Sequence, residues 1–311
     1  MAGLETGPLV LGTNVFGWTV REDAAFALLD HARARGITCL DTADHYVSWA
    51  PGGQGGESET IIGRWLAARG HPEEVAIVTK VGFPMGDGSA GLSREHVRRS
   101  LAGSLARLQR TRVDLYMAHL EDPDTPIEET MDTFAELVAA GQVGELGVSQ
   151  LDPRTIERGM DHAARHGLPG FTTYETLYNL YDREPFEGEG AAMAARFGFK
   201  VLPFRSLAAG FLTGKYRKAD DLTGARGPRA AACFTPRGFG ILDALDAVAG
   251  ETGTSPGAVA LAWLRARPHV GALLVGATSP AQIDEQLVGA RLVLDERQTE
   301  QLDRASAMEA A

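Results

Sequence analysis

Cysteine is scarce in this chain: Cys39 and Cys233 are the only two in 311 residues. Two thiols cannot build a disulfide framework, so a reducing compartment, the cytoplasm, is the expected setting. No apolar run approaches the roughly 18–20 residues that a membrane span requires. The opening stretch MAGLETGPLVLGTN lacks the basic flank of a secretory signal. Basic residues are outnumbered, 30 Lys and Arg against 41 Asp and Glu, for a net charge of −11. That balance argues against a protein that grips nucleic-acid backbones, while leaving room for a local basic pocket around a small anionic cofactor. Low-complexity linkers and short letter repeats are also missing. What is present is an ordinary globular composition, 44% hydrophobic and 23% charged, which excludes wholesale disorder. The 37 glycines lie mostly between periodic segments, as a fold with many tight turns requires. A length prior alone would give about two domains, but α/β barrels run this long as one.

The recurring feature is an alternation of short β-rich apolar runs with longer segments of helical period. Strands are expected at 9–13, 37–42, 75–81, 114–119, 144–149, 171–175, 200–205 and 271–276. Helices are expected at 22–35, 58–69, 93–110, 126–140, 153–166, 190–197, 255–266 and 280–290, with a final one at 295–307. Ser93 begins its helix with His96 three residues on, an incomplete capping box. Thr125-Pro126 and Asp152-Pro153 place a cap residue before a proline at the first helical position. Gly36, Gly70, Gly141 and Gly167 fall just past helix ends, where a left-handed residue is wanted. Eight βα units in series predict parallel strands joined by right-handed crossovers, closed into a (β/α)8 barrel over residues 1–311 as one domain. A doubly wound sheet would announce a nucleotide site with GxGxxG after its first strand. The chain has LGTNVFG there, and its GGQGGE at 52–57 follows the second strand with the wrong spacing.

Barrel enzymes build their sites at the C-terminal ends of the strands. The polar residues at those ends are Asp41, Lys80, His119, Ser149, Glu175 and Arg205, with Tyr46 in the loop just after Asp41. Several segments around them, in this order, match a known pattern: LDTADHY (40–46), VTKVG (78–82), DLYMAHLEDPDTPIEET (114–130), GELGVSQ (144–150), YNLYDR (178–183), LAAGFLTGKY (207–216) and VGATSPAQIDEQL (275–287). With these segments the chain resembles the aldo-keto reductase family from about residue 9 to 290. The resemblance implies a (β/α)8 TIM barrel, NADP(H) as cofactor and reversible reduction of an aldehyde or ketone. It places the family's tetrad on Asp41, Tyr46, Lys80 and His119. The chain departs from the family at its start, where the β-hairpin that plugs the barrel bottom is short or absent, and carries an extra C-terminal helix.

The tetrad has a chemical logic of its own. Hydride reaching a carbonyl carbon leaves charge on oxygen, which must be protonated or stabilised. A phenol with a pKa near 10 donates poorly at neutral pH, and a nearby ammonium lowers that value. On this reading Tyr46 is the general acid, Lys80 its electrostatic partner, Asp41 the residue that orients Lys80, and His119 the residue that binds the carbonyl. Taken singly, Asp41 would be a helix cap, Tyr46 a packed loop residue, Lys80 a solvated charge and His119 a structural histidine.

The resemblance also assigns a cofactor shell. Ser149, Gln150 and Glu175 occupy the positions that hold the nicotinamide amide. Glu175 stands where Gln is usual. A carboxylate cannot donate to the amide oxygen, so Glu175 is then either protonated or paired with a neighbouring donor. Phe204 matches the ring that stacks on the nicotinamide, and Arg205 replaces the usual Ser. Leu207, Gly210 and Lys215 match a segment that closes over the cofactor, and Arg226 matches a later basic contact. At the last unit Gly276, Thr278, Ser279 and Gln282 lie where the 2′-phosphate is gripped, at a helix start that favours anions. Glu285 and Gln286 lie at the adenine end. NADP(H) is expected over NAD(H), although the strongest charged grips are missing. Trp18 and Trp49 are candidate walls for a bulky apolar or ring substrate. No metal site is expected. The expected partner is a small carbonyl or alcohol, with neither nucleic acid nor membrane involved, and the sequence does not set the oligomeric state. Two other readings stay open: a non-catalytic, cofactor-binding regulatory subunit, and a narrow sugar or secondary-metabolite ketoreductase.

Overall fold

The computed structural model describes Leu4 and residues 6–308. Strands and helices alternate through β1 (Leu9–Gly12), α1 (Glu22–Ala34), β2 (Cys39–Asp41), α2 (Glu57–Ala68), β3 (Ala76–Val81), α3 (Arg94–Leu108), β4 (Val113–Leu120), α4 (Ile127–Ala139), β5 (Val143–Gln150), α5 (Pro153–His166) and β6 (Phe171–Leu177). The second half runs through α6 (Glu184–Glu187), α7 (Glu189–Phe197), β7 (Lys200–Phe204), α8 (Gly227–Ala230), α9 (Pro236–Thr252), α10 (Pro256–Arg265), β8 (Leu273–Gly276), α11 (Pro280–Arg291) and α12 (Glu296–Ala305). All neighbouring strands pair in parallel, in the order β7-β6-β5-β4-β3-β2-β1-β8. The ring is drawn together between β7 and the approach to β8, where Gly271 N–H donates to Val201 O at 3.0 Å and Val201 N–H to His269 O at 2.8 Å. The fold is a (β/α)8 barrel.

The strand period of two divides the residues between two apolar layers. Val10, Cys39, Val78, Leu115, Met117, Leu202, Ala272 and Leu274 fill the barrel interior, while their neighbours on the strands pack outward against the helices. Gly147 belongs to this filling: a Cβ there would lie 2.8 Å from Met117 Cε. Two residues further along the same inward row the side chains turn polar: Cys39 is followed by Asp41, Val78 by Lys80 and Met117 by His119. The apolar plug below and the polar mouth above are thus consecutive steps of one alternation. Leu4 packs against the interior layer from below, held by its N–H to Glu145 and by Lys200 Nζ, which donates to Leu4 O at 3.0 Å. No hairpin precedes β1 among the described residues.

The caps explain most helix boundaries. Ser93 and Asp152 accept from His96 N–H and Arg154 N–H, and Asp295 forms a full capping box with Gln298 at the start of α12. Gly36, Gly70, Gly141 and Gly167 all take positive φ. Two expectations need correction. Pro126, not Thr125, is the N-cap of α4, and its ring carries no acceptor to cap the helix. The 17-residue α9 was not foreseen. Gly238 and Gly240 in its first turns dilute its helical signal, although Thr235 caps it and its row of Ile241, Leu245 and Val248 is buried. No helix among the described residues is long and apolar enough to cross a membrane.

Candidate active site

Lys80 is the hub of the barrel mouth. Its side chain is fully buried, and its Nζ donates to Asp41 Oδ2 at 2.6 Å, to Thr42 O at 2.9 Å and to Tyr46 OH at 3.1 Å. Tyr46 OH in turn donates to Asp41 Oδ1 at 3.2 Å. Asp41 and Lys80 end adjacent paired strands, and Tyr46 returns to them from the β2–α2 loop. That loop is braced from beneath. Thr79 Oγ1 and Arg107 Nε both donate to the fully buried Glu59, at 2.5 and 2.7 Å, and Ser58 Oγ donates to Thr13 O at 3.0 Å. Val47, directly after Tyr46, sits at φ 82°, a strained conformation for a β-branched residue. Gly53 covers it so closely that a Cβ would lie 2.0 Å from Val47 O.

The electrostatics follow from burial and charge count. Burial opposes the Lys80 charge, but the paired Asp41 leads the groups that outweigh it and hold the ammonium protonated well above its ordinary range. Tyr46 departs from the sequence expectation. Burial and the Asp41 charge push its phenol up, and Lys80 only partly opposes them, because the ammonium is already paired with Asp41. The phenol is therefore firmly protonated in this state. His119 ends the inward row of β4. Burial, helped by Lys80, holds its imidazole neutral, and its Nδ1 has no partner among the described residues.

Sequence reasoning missed His45 and Phe83. The His45 ring stacks on Phe83 at 4.5 Å and lies 4.8 Å from His119, and burial lowers its pKa to about 3. Trp49 meets His45 at 5.5 Å and Tyr46 at 5.9 Å, and Trp18 meets Trp49 edge-on at 6.0 Å. The result is an unbroken aromatic wall from the half-buried Trp18 to His119, with Trp49 still 42% exposed. The only sequence signal was the adjacency of His45 to Tyr46 and of Phe83 to the end of β3.

Across the mouth, Gln150, Glu175, Phe204 and Arg205 line a cleft of about 250 Å³. Glu175 Oε2 in this cleft and Ser149 Oγ, next to Gln150 on β5, are buried without a hydrogen-bond partner among the described residues. Arg205, Ala208 and Ala209 all take left-handed backbone, at φ 53°, 47° and 56°. Leu207 lies between them, half-buried. Gly210 follows at φ 91°, and Lys215 folds back on it so closely that a Cβ there would lie 3.1 Å from Nζ. Arg226 reaches the end of β8, its Nη2 3.1 Å from where a Gly276 Cβ would stand, and no carboxylate pairs with it among the described residues. At the start of α11 the Ser279 side chain makes no cap bond. Thr278 N–H and Oγ1 both turn to Gln282 Oε1, at 2.8 and 3.2 Å. Glu285 accepts from Ser255 Oγ, and Gln286 Nε2 donates to Gly276 O at 3.0 Å while its Oε1 stays unpartnered. Unpartnered buried acceptors near the strand ends, an unpaired Arg and a free helix start suit a long ligand with an amide at one end and phosphates at the other.

The aldo/keto reductase family profile matches residues 8–307. Protein tas of Escherichia coli is 32% identical over 322 residues, covering 95% of this chain and 92% of that protein. The uncharacterized oxidoreductase YrpG of Bacillus subtilis is 32% identical over 300 residues, covering 94% and 90%. A protein of Schizosaccharomyces pombe, named provisionally as a voltage-gated potassium channel subunit beta, is 30% identical over 307 residues, covering 92% and 85%. The chain belongs to the aldo/keto reductase family, which includes oxidoreductases and whose members generally bind a nicotinamide cofactor.

Proposed function

We propose that this protein is a cytoplasmic, NADP(H)-dependent reductase that converts an aldehyde or ketone to the alcohol with Tyr46 as general acid. The observation that carries the reading is the closed triangle of Lys80, Asp41 and Tyr46, with contacts of 2.6, 3.1 and 3.2 Å. When bound, the reduced nicotinamide supplies hydride to the carbonyl carbon. The residues of this chain do the rest. His119, held neutral, orients the carbonyl oxygen by a hydrogen bond. Tyr46 OH gives its proton to that oxygen as negative charge builds on it. An alkoxide is basic enough to take a proton even from a phenol held above its ordinary range. Lys80 and Asp41 fix the phenol's position, and the Lys80 charge favours the phenolate left behind.

Ser149, Gln150 and Glu175 are positioned to hold the nicotinamide amide, and Phe204 to stack on its ring. Leu207, Gly210, Arg205 and Lys215 lie along the diphosphate path. Arg226, with Gly276, Thr278, Ser279 and Gln282 at the α11 start, favours the 2′-phosphate. Glu285 and Gln286 lie at the adenine end. The wall formed by Trp18, Trp49, His45 and Phe83 favours a planar aromatic carbonyl, because flat rings gain most from such a face. A panel of aryl aldehydes, quinones and aliphatic carbonyls with NADPH tests this. Turnover concentrated on the aromatic members is expected, and binding of NADPH without any turnover would contradict it. That contrary outcome is what the second reading, a cofactor-binding regulatory subunit, predicts. The similarity to the provisionally named channel subunit favours that reading.

A further inference from the structure

Lys80 is flanked by a second acid that the tetrad does not use. Glu175 Oε2 stands 3.6 Å from Lys80 Nζ and has no hydrogen-bond partner among the described residues. The Asp41 charge also acts on it, opposing its ionisation. The buried centre therefore holds two acids against one ammonium. Leaving both acids ionised would bury a net negative charge, which is expensive in a low dielectric, so one of them carries a proton. Asp41 already accepts from Lys80 through Oδ2 at 2.6 Å and from Tyr46 through Oδ1 at 3.2 Å, whereas Glu175 Oε2 has no donor among the described residues. The proton falls to Glu175.

We propose that Glu175 is the proton store of the site, acting through Lys80 to return a proton to Tyr46 after each reduction. This rests on the reading of Tyr46 as general acid. Once the substrate oxygen, reduced by nicotinamide hydride, has taken the Tyr46 proton, the sequence has two steps. Lys80 breaks one N–H bond and protonates the Tyr46 oxygen across 3.1 Å. Glu175 then breaks its O–H bond and restores the Lys80 ammonium across 3.6 Å, a gap that closes to hydrogen-bond distance with a shift of roughly half an ångström. The net change is one proton moved from Glu175 to Tyr46. Glu175 recovers it from solvent when the cleft between Gln150, Phe204 and Arg205 empties.

The charged and titratable groups facing Glu175 are Asp41 from β2, Lys80 from β3 and Tyr46 from the β2–α2 loop. Gln150 and Phe204 bring no charge from β5 and β7, His119 of β4 is neutral, and Arg205 lies at the cleft rim. Burial and then Asp41 raise the Glu175 pKa to about 8, against the pull of Lys80. Above that point Glu175 is ionised. It has no proton to return, and its charge raises the Tyr46 phenol further. Carbonyl reduction must therefore fall as pH rises through about 8. Alcohol oxidation, which needs a proton acceptor, must rise over the same interval.

The test compares wild type with Glu175→Gln and Glu175→Asp. Potentiometric titration of the cofactor-free proteins is expected to show wild type releasing one proton more than Glu175→Gln near pH 8. The kcat profiles in both directions should lose their opposed limbs in Glu175→Gln, with reduction at neutral pH lowered about tenfold, and regain them in Glu175→Asp. A merely structural role for Glu175 would not move the two directions oppositely. Equal proton release in wild type and Glu175→Gln, or unchanged limbs, would overturn the proposal. A wild type that releases the extra proton but reduces no carbonyl would overturn the proton return and the proposed activity together. Loss of the opposed limbs in an otherwise active Glu175→Gln enzyme would leave Tyr46 as the acid and support Glu175 as its store.

Discussion

The two halves of the barrel mouth are built differently. On the β2–β4 side the charged groups at the centre of the mouth are paired with one another, while Asp44 in the loop and His119 Nδ1 at the end of β4 have no partner among the described residues. Lys80 holds Asp41 and Tyr46, and Glu59 and Arg107 brace the loop beneath them. On the β5–β8 side, Ser149 and Glu175 keep buried atoms unpartnered, the backbone is left-handed at three non-glycine residues from 205 to 209, and Arg226 reaches β8 without an acid. The difference teaches what each side needs from a ligand. On the first side the Lys80, Asp41 and Tyr46 triangle is closed by protein contacts alone, and His119 keeps a free ring nitrogen. The second has groups that a bound molecule would satisfy, and strain that its contacts would offset.

The comparison breaks most visibly at Lys80. Lys80→Met is expected to lower kcat by about 10²–10⁴-fold, the usual scale for general acid–base catalysis. The double variant with Tyr46→Phe should lose little more than either single variant, because both act on one proton transfer. Removing the ammonium also strands Asp41, and losing one partner of a buried pair costs about 3–5 kcal/mol, so a lowered Tm should accompany the kinetic loss. Additive kinetic losses would separate the two residues. On the other side, Arg226→Ala should leave kcat nearly unchanged and weaken NADPH binding by about 10- to 150-fold, the equivalent of ~1.5–3 kcal/mol for a charge-assisted contact. Measured dissociation constants should show NADH almost unaffected. Equal losses for both cofactors would move Arg226 from the 2′-phosphate to the diphosphate. The smallest effect is expected at the exposed edge of the aromatic wall. Trp49→Ala should raise KM for aryl aldehydes by about 2- to 10-fold, as the loss of one aromatic contact implies, with aliphatic carbonyls unchanged. A uniform rise would make Trp49 a packing residue only.

The same division governs what could be read from the sequence. The barrel was legible because inward rows such as Val78–Lys80 and Met117–His119 leave an alternating trace in the letters, and because Asp41, Lys80 and His119 sit at strand ends. The positions of Ser149 and Glu175 were legible for the same reason, whereas Phe204 was singled out only through the family resemblance. His45 and Phe83 were not, since their stacking joins a loop after β2 to one after β3 and no local pattern records it. The helix at Pro236–Thr252 was hidden by glycines at its start, and Pro126 displaced Thr125 from its expected capping role. The Tyr46 phenol was expected to be lowered by Lys80. The structure reverses the direction, because a buried charge acts on all its neighbours and Lys80 is already engaged by Asp41.

The central claim is that donation of the proton to the substrate belongs to Tyr46 on one half of the mouth and cofactor binding to the other half, from which Glu175 only resupplies the proton. Tyr46→Phe tests it most directly, since only one oxygen is removed. Single-turnover reduction of an aryl aldehyde by the NADPH-loaded variant should be slowed by at least about 10²-fold, while the NADPH dissociation constant, measured separately by protein fluorescence, stays within about twofold of wild type. Retention of more than about a tenth of the wild-type single-turnover rate would contradict the account and pass the role of proton donor to another group, His119 being the nearest candidate.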